Sequence, residues 1–318
     1  MKPFKTLEQQ VEILEQRGLT ITDYEKTKQY LLQHSYYNVI NVYSKFFQDK
    51  ENQYISGSTF DEIRAVHIFD TELKSVLFKH LLECEKHFKS TLSHRFSEYH
   101  KDIPYAYLKT SSYMDRNLLD LTNTISQMSK VVSKALRDRK PNLIKHYQNN
   151  HHDVPLWILI NHLTFGQAVH IFIHLDDKLK NIIAKDLSRY LEENSGLKTA
   201  LEAKEIERML FNLIEVRNCV AHNNKLFSLK CKNNLKYHES IHEKYSFDKA
   251  QPRQDLFNVL LSMQCFLEKS QYSLIYNTIL KRAKRLDRKL YSIPINVVLG
   301  TLGFPNEWTT ITEKVEQV

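Results

Sequence analysis

The sequence predicts an all-α protein, and three observations support this fold class. Only 6 Gly and 7 Pro occur in 318 residues, too few for the many tight turns of a β-sandwich or barrel. Ser/Thr-x-x-Glu/Gln capping boxes begin several segments, where they satisfy the free amide donors of a helix start. Apolar residues then recur at helical spacing. The length also excludes a disulfide-stapled mini-protein, because a chain of this size buries a core of its own.

Residues 1–57 are predicted to form a small N-terminal helical lobe. Capping boxes at Thr6-Leu7-Glu8-Gln9 and Thr22-Asp23-Tyr24-Glu25 begin two helices, and Gly18 between them is the expected end of the first. An aromatic stretch follows, which comprises Tyr36, Tyr37, Tyr43, Phe46 and Phe47. Its tyrosines suit base stacking or, more commonly at this spacing, a packed core.

Residues 58–230 are predicted to form the helical core of the protein. The polar stretch Gln48 to Ser58 separates it from the lobe, and a third capping box, Thr59-Phe60-Asp61-Glu62, opens it. From Ile63 to Leu81 apolar residues recur every 3 or 4 positions, which predicts a long helix. Further helical segments are predicted at Asn117 to Leu136, at Leu156 to Phe172 with an interruption at Gly166, and at Ala203 to Ala221.

Residues 231–318 are predicted to form a C-terminal loop and helical extension. A strong helical pattern spans Leu256 to Leu280, whereas the polar segments Asn142 to Asp153 and Ser228 to Gln254 are typical of loops. No stretch has convincing strand character, and no internal repeat is recognisable.

Charge and cysteine usage indicate a soluble cytoplasmic protein. The 45 Lys and Arg exceed the 37 Asp and Glu by 8, which suits an anionic partner without identifying it. The cysteines, Cys84, Cys219, Cys231 and Cys265, form no CxxC pair and indicate reduced thiols. The first twenty residues carry charges throughout, and no apolar run approaches the roughly 18 residues of a membrane span. We therefore expect neither a signal peptide nor a membrane contact.

The segment from Leu210 to Phe227 carries the residues best suited to chemistry. At 100° per residue, an apolar stripe on the Ala203 to Ala221 helix faces the core, and Arg217, Asn218 and His222 point away from it. Arg217 would hold a phosphate with its planar donor fork, and His222 would move a proton to or from a ribose oxygen without a metal. The two side chains do not converge on one straight helix, so a second helix or a second copy must complete the site.

An Arg and a His five positions apart are by themselves more often solvated surface residues. The string Arg217-Asn-Cys-Val-Ala-His222-Asn-Asn-Lys-Leu-Phe227, however, resembles the RNxxAHxxRLW signature of the Abi-like abortive-infection proteins, the AbiD/AbiF group of the HEPN superfamily. The opening Lys2-Pro3-Phe4, and the Tyr36-Tyr37 pair followed by Tyr43, are similar to the KP start and YYR…Y patch of that family.

Two further blocks resemble the same family in the same order. Phe69-Asp70 with Leu73-Lys74, then Glu85 and Lys89, resemble its FDxxLR…IExxxR helix, and Pro155-x-Trp157 to Phe165-Gly166 resembles PxWxxxExxSFG. The chain departs from the family at Asn38, Lys74, Lys89 and Lys225, where Arg is usual, and at Asn161, where Glu is common. Lys225 keeps the charge of Arg but loses its bidentate donor geometry.

The resemblance implies a HEPN-type helical bundle and a metal-independent endoribonuclease, a toxin of abortive-infection phage defence that needs no cofactor. In the implied reaction the RNA 2′-hydroxyl attacks the adjacent phosphate and leaves a cyclic phosphate. His222 is the general acid or base, Arg217 binds the phosphate, Asn218 orients them, and Lys225 adds a phosphate contact. Two copies of the motif meet across a homodimer, and a small non-coding RNA encoded nearby is a second expected partner.

Two other functions remain open from the sequence. The first is a HEPN module that binds RNA or a protein partner without cleaving anything. The second is a toxin silenced by covalent modification from a separate nucleotidyltransferase-like partner.

A basic run near the C-terminus is the clearest candidate for further RNA contact. On a helix, Lys281, Arg285 and Arg288 share one face, and Arg282 shares another with Lys289. Solvated cations that complement the dipole of a helix end are an equally good interpretation.

Three histidine groups have the spacing of metal ligands without other support. His238-Glu239-Ser-Ile-His242 matches a zinc-protease motif, but its flanks are polar, its third ligand would be the distant Glu268, and chance explains such a match. His170 and His174 lie one helical turn apart among apolar residues, which favours packing. His151-His152-Asp153 is most simply a solvated loop. We therefore predict no metal site.

Overall fold

The computed structural model describes residues 3–50, 52–114, 117–245, 247–312 and 314–315, and within them the fold is all-α, as predicted. Lys2 of the opening motif lies outside the described residues. The α-helices are α1 (Leu7–Gln16), α2 (Tyr24–His34), α3 (Tyr36–Tyr43), α4 (Phe60–Tyr99), α5 (Leu118–Arg137), α6 (Leu143–His151), α7 (Leu156–Leu159), α8 (Phe165–His174), α9 (Asp177–Ser195), α10 (Ala203–Ala221), α11 (Glu239–His242), α12 (Leu256–Ser262), α13 (Lys269–Asp287), α14 (Ile295–Leu299) and α15 (Trp308–Ile311). The strands are β1 (Gln48–Lys50) and β2 (Gln53–Tyr54), and single turns of 3₁₀ helix occupy Ser44–Phe47, Ala106–Leu108, Thr110–Ser112, Ile160–His162, Glu243–Tyr245, Met263–Cys265 and Gly300–Leu302.

The N-terminal helices begin and end at local hydrogen-bond motifs. The capping box of Thr6 is confirmed, and Gly18 follows the end of α1 with φ +89°, a conformation that favours glycine. The box at Thr22 is wrong by one residue. Asp23 is the N-cap, because its carboxylate accepts the Lys26 amide at 3.0 Å, while the Thr22 hydroxyl donates to Asp61 at 2.6 Å.

A small antiparallel hairpin of β1 and β2 lies at the end of the lobe, where the sequence showed no strand. Gln48 pairs with Tyr54, and the Ile55 amide donates to the Phe47 carbonyl at 2.8 Å. Strands of three and two residues are too short to display an alternating apolar pattern, so composition could not reveal them.

The long helix α4 is the axis on which the other helices pack. Its 40 residues span about 60 Å, and the predicted Thr59 to Glu62 capping box begins it. The residues predicted from spacing to face the core, from Ile63 to Leu81, are buried. Helices α3, α7, α8, α9, α10 and α13 all contact α4. This single helix therefore positions both the lobe and the C-terminal extension.

Two boundaries and one loop differ from the sequence prediction. The segment Asn142 to Asp153 holds α6, because Asn142 caps a helix that buries only Ile144 and is otherwise polar. The break in Leu156 to Phe172 lies at Leu163, and Thr164 caps α8 with Gly166 inside the helix. The pattern from Leu256 to Leu280 comprises two helices, α12 and α13, joined through a 3₁₀ turn.

The buried apolar residues of the lobe, the core and the extension belong to one hydrophobic cluster. Ser228 to Gln254 is mostly irregular, as predicted, apart from the short helix α11 and one 3₁₀ turn. All four cysteines are free and buried. Among the described helices, none is both long enough and apolar enough to cross a bilayer.

Candidate active site

Helix α10 ends directly at the candidate histidine, with the bounds predicted from the sequence. His222 is the C-cap, and Asn223 after it adopts the left-handed conformation with φ +53°. The Asn224 amide donates to the Cys219 carbonyl at 2.8 Å, and the Asn223 amide donates to the Val220 carbonyl at 3.0 Å. This Schellman arrangement reverses the chain immediately after His222.

The candidate catalytic residues lie on the outer side of α10. Arg217 is half-buried and donates from Nη1 to the Asn218 Oδ1 at 3.2 Å. Asn218 and His222 are exposed, and the His222 imidazole makes no hydrogen bond to any described side chain or carbonyl. Lys225 is exposed beyond the turn. Among the described residues, no hydrogen bond or ion pair joins Arg217 to His222, in agreement with the helical geometry.

Glu85 of α4 lies next to Arg217 and also forms an ion pair with Lys89 on its own helix. Lys89 Nζ donates to the Glu85 Oε1 at 2.6 Å and to the Leu163 carbonyl at 2.6 Å. The other oxygen, Glu85 Oε2, lies 4.0 Å from Arg217 Nε, and both of these atoms are buried without a hydrogen bond. Glu85 therefore attracts the guanidinium by charge alone, and the Nη groups, of which Nη1 also donates to Asn218, lie on the side that an anion can reach.

A buried charge cluster holds the turn that follows His222. Lys74 Nζ donates to the Asp70 Oδ2 at 2.7 Å and to the Asn223 Oδ1 at 3.1 Å, and the Tyr43 hydroxyl also donates to Asp70 at 2.7 Å. Asp70 is 1% exposed, and burial raises the pKa of its carboxyl although Lys74 and Tyr43 act in the opposite direction. Lys74 thus links the middle of α4 to the end of the motif.

The two charge pairs of α4 lie on one side of that helix. Lys74 and Glu85 are eleven residues apart and differ by about 20° around the axis, so both face α10. Because Lys74 contacts Asn223 while Glu85 contacts Arg217, the two helices run antiparallel. In the sequence these residues belong to the block that resembles the family's FDxxLR…IExxxR helix, and no role was predicted for them. Their i,i+4 spacing of opposite charges was the available signal.

The end of the motif also packs on the N-terminal lobe. The Phe227 ring meets the rings of Tyr43 and Phe46 edge-on, with centroids 5.8 and 5.1 Å apart. Tyr43 is buried, Tyr36 is partly buried and Tyr37 is 69% exposed, so the tyrosine patch belongs mostly to the core. Of these tyrosines, only Tyr37 has a ring that is largely open to a nucleobase.

The basic run of α13 lies away from the Arg217 to His222 segment. Arg282 and Arg285 both pair with Glu72, which lies about 160° around α4 from Lys74. Lys281, Arg285 and Arg288 are exposed and Arg282 is partly buried. In one copy of the chain, these cations therefore lie on the side of α4 opposite to the motif.

The zinc-protease match has no zinc-protease geometry. His238 precedes α11, so the two histidines do not share a regular helix, and Glu268 caps α13. His238 Nε2 lies 3.3 Å from Glu205, and burial lowers the pKa of His242 to about 4.

Asn161, where the family commonly has Glu, donates from its amide to the Trp157 carbonyl at 3.2 Å.

The fold and the site together define a class of protein: a helical protein in which two charge pairs on a long central helix support an Arg-x4-His segment at the end of a neighbouring helix. The family model described as Abi-like protein matches residues 29–228, which are 200 of the 318 residues and include both charge pairs and the whole segment. The chain belongs to this Abi-like family, whose name indicates abortive infection. No curated protein and no solved structure matches the chain.

Proposed function

We propose that this protein is a HEPN-type endoribonuclease that acts as a toxin in abortive-infection phage defence. One observation carries the proposal: the family-matched region ends in an exposed His222, five positions after a partly exposed Arg217 whose Nε lies 4.0 Å from the Glu85 carboxylate. An exposed imidazole and a partly exposed guanidinium, brought together by a second copy of the chain, are what a metal-free cleavage of a phosphodiester needs.

In the proposed reaction, His222 takes the proton from the ribose 2′-hydroxyl. The 2′-oxygen attacks the phosphorus, the bond to the 5′-oxygen of the next nucleotide breaks, and that oxygen receives a proton from a protonated imidazole. The products are a 2′,3′-cyclic phosphate and a 5′-hydroxyl. Arg217 binds the non-bridging oxygens and the negative charge of the transition state, with Asn218 as its hydrogen-bonding neighbour and Lys225 as a further cation.

We propose that two copies of the chain form the complete site, because one α10 presents a single histidine. Phe211, Ile214, Asn218 and His222 lie within about 80° of one another around α10. Phe211 and Ile214 are only partly buried in the chain described here. An apolar patch next to the motif on the same helix face suits a homodimer in which the two motifs meet.

RNA is the proposed substrate, and a small non-coding RNA is the proposed regulator. The excess of 8 positive charges and the exposed Lys281, Arg285 and Arg288 supply long-range attraction for either RNA. Because α13 lies opposite the motif in one copy, we propose that these cations bind a part of the RNA distant from the cleaved bond.

The test is cleavage of total cellular RNA by the purified protein in the presence of EDTA, with 2′,3′-cyclic phosphate ends mapped. His222→Ala is the variant, and His151→Ala, which removes an exposed histidine of α6, is the matched control. We expect wild type and His151→Ala to cut at the same positions and His222→Ala to cut at none. Equal cleavage by wild type and His222→Ala would remove His222 from the mechanism.

If no protein cleaves but wild type and His222→Ala retain RNA equally in a gel-shift assay, the non-catalytic binding module is the better account. Protein stripped of co-purifying nucleic acid in high salt has to be used, so that a bound regulatory RNA cannot hide the activity. Mass spectrometry of the intact chain detects a covalent modification that silences it.

The dimer is tested separately with Ile214→Asp. This change places a carboxylate in the proposed interface, and we expect a dimeric wild type and a monomeric, inactive variant by analytical ultracentrifugation. A wild type that remains monomeric while cleaving RNA would contradict the two-copy site.

A further inference from the structure

A second cluster of ionisable side chains lies where the start of α5 meets the end of α8. Asp120 is in the first turn of α5, and His170 and His174 are one turn apart on α8. One ligand atom from each of the three lies within 4.8 Å of the other two, and no other trio of His, Cys, Asp or Glu in the described ranges does this. Asp120 Oδ2 is 3.1 Å from His174 Nε2 and 3.8 Å from His170 Nδ1.

The two ring nitrogens in this cluster are buried without a hydrogen bond. His174 is 4% exposed, and its Nε2 is not aligned for a hydrogen bond to the nearby carboxylate; the Nδ1 of His170 also makes none. Both nitrogens have the Asp120 carboxylate as a neighbour at 3.1 and 3.8 Å but no aligned hydrogen bond, and buried polar atoms are rarely left so, which requires an explanation.

We propose that Asp120, His170 and His174 bind one divalent transition-metal ion. Two imidazole nitrogens and one carboxylate oxygen are a donor set suited to Zn²⁺ or Fe²⁺. Donors about 2.0–2.1 Å from a tetrahedral ion are roughly 3.3 Å apart, and the two distances from Asp120, 3.1 and 3.8 Å, bracket that spacing. The ion satisfies both buried nitrogens, and a fourth position remains for water because Asp120 and His170 are about two-fifths exposed.

The ion joins two helices that already run side by side. Gln167 Nε2 of α8 donates to Gln127 Oε1 of α5 at 3.3 Å. Gln167 is seven residues before His174, and Gln127 is seven residues after Asp120. Seven residues are two helical turns, about 10 Å, so the metal and the amide pair hold the helices antiparallel at two points. The ring of His170 also meets that of Phe211 on α10 edge-on at 6.5 Å. The site therefore fastens α5 to the helices next to the candidate active site.

The test is titration of the full-length, metal-stripped protein with Co²⁺, followed by competition with Zn²⁺. Asp120→Asn and His170→Asn are the variants, because both side chains are partly exposed and we expect the fold to tolerate their loss. His151→Asn and His238→Asn are the controls, the first an exposed histidine and the second a member of the zinc-protease match. Circular dichroism verifies the fold of each variant.

We expect wild type to bind one Co²⁺ per chain, with visible absorption bands of imidazole coordination that Zn²⁺ abolishes. Each ligand variant should bind more than about 100-fold more weakly, because even the loss of an outer-shell partner costs about 10–100-fold. Zn²⁺ should raise the Tm of wild type and of both controls but not that of the ligand variants.

No saturable binding by wild type, or undiminished binding by Asp120→Asn and His170→Asn, would overturn the site. Loss of binding only in His238→Asn would move the metal to the other motif and overturn it equally. Because neither readout involves RNA, the metal site and the proposed nuclease succeed or fail independently.

Discussion

Removing the charge of Lys74 should show how much its bonds to Asp70 and Asn223 contribute to the free energy of unfolding. Lys74→Met keeps the length of the side chain but deletes the cation that bonds Asp70 at 2.7 Å and Asn223 at 3.1 Å. Asp70 would then keep only the Tyr43 hydroxyl, and its Oδ1 already has no hydrogen bond. The carboxylate, 1% exposed, would be left as an unpaired buried charge.

We expect Lys74→Met to lower the free energy of unfolding by about 3–5 kcal/mol, the usual cost of removing one partner of a buried ion pair. The total stability of a protein is about 5–15 kcal/mol, so the change is large. Urea unfolding followed by circular dichroism measures it. The turn after His222 also loses its bond to α4, and a hydrogen-exchange experiment should show faster exchange of the Asn223 and Asn224 amides.

Two further variants distinguish the charge from packing. Lys74→Arg, which places the residue usual in this family, should cost less than about 1 kcal/mol because the cation is retained. Asp70→Asn combined with Lys74→Met should recover about 2 kcal/mol or more relative to Lys74→Met alone, since no charge is then left unpaired. A loss below about 1 kcal/mol in Lys74→Met would refute the reasoning, because it would mean that water solvates Asp70.

Three more predictions concern stability at single positions. Asn223 has φ +53°, so Asn223→Ala should be less stable than Asn223→Gly by about 1 kcal/mol in urea unfolding, and equal stability would contradict the left-handed turn. Gly303→Ala should lower the free energy of unfolding by more than about 2 kcal/mol, because Gly303 has φ +84° and an added Cβ would overlap the Asp255 carboxyl group. Gly300→Ala is the control, since a Cβ there meets nothing within 4 Å. Burial lowers the pKa of His242 to about 4 from 6.5, so the unfolded chain takes up the proton first and stability is lost as pH falls from about 6.5 toward 4. His242→Gln should remove roughly 2–3 kcal/mol of that loss, and an unchanged pH profile would show that His242 is accessible to protons when folded.

Local patterns in the sequence were sufficient for most helices and for the candidate residues. The bounds of α10 were predicted correctly because its apolar period and its end depend on residues close together in the chain. The capping boxes at Thr6 and Thr59 are local in the same way. Helix α6 was missed because it buries only Ile144, so its polarity resembled that of a loop.

The sequence by itself determined the helical class, the family and the positions of Arg217 and His222 away from the apolar stripe of α10. Only the tertiary structure decided which groups surround them. Lys74 bonds to Asn223, which is 149 positions away in the sequence. Glu85 likewise lies 4.0 Å from Arg217 although the two residues are far apart in the sequence. His170 and His174 look like packing residues until folding brings Asp120 beside them. Helix propensity and capping act over a few residues, whereas ion pairs and metal ligands depend on distances in space that no local pattern encodes.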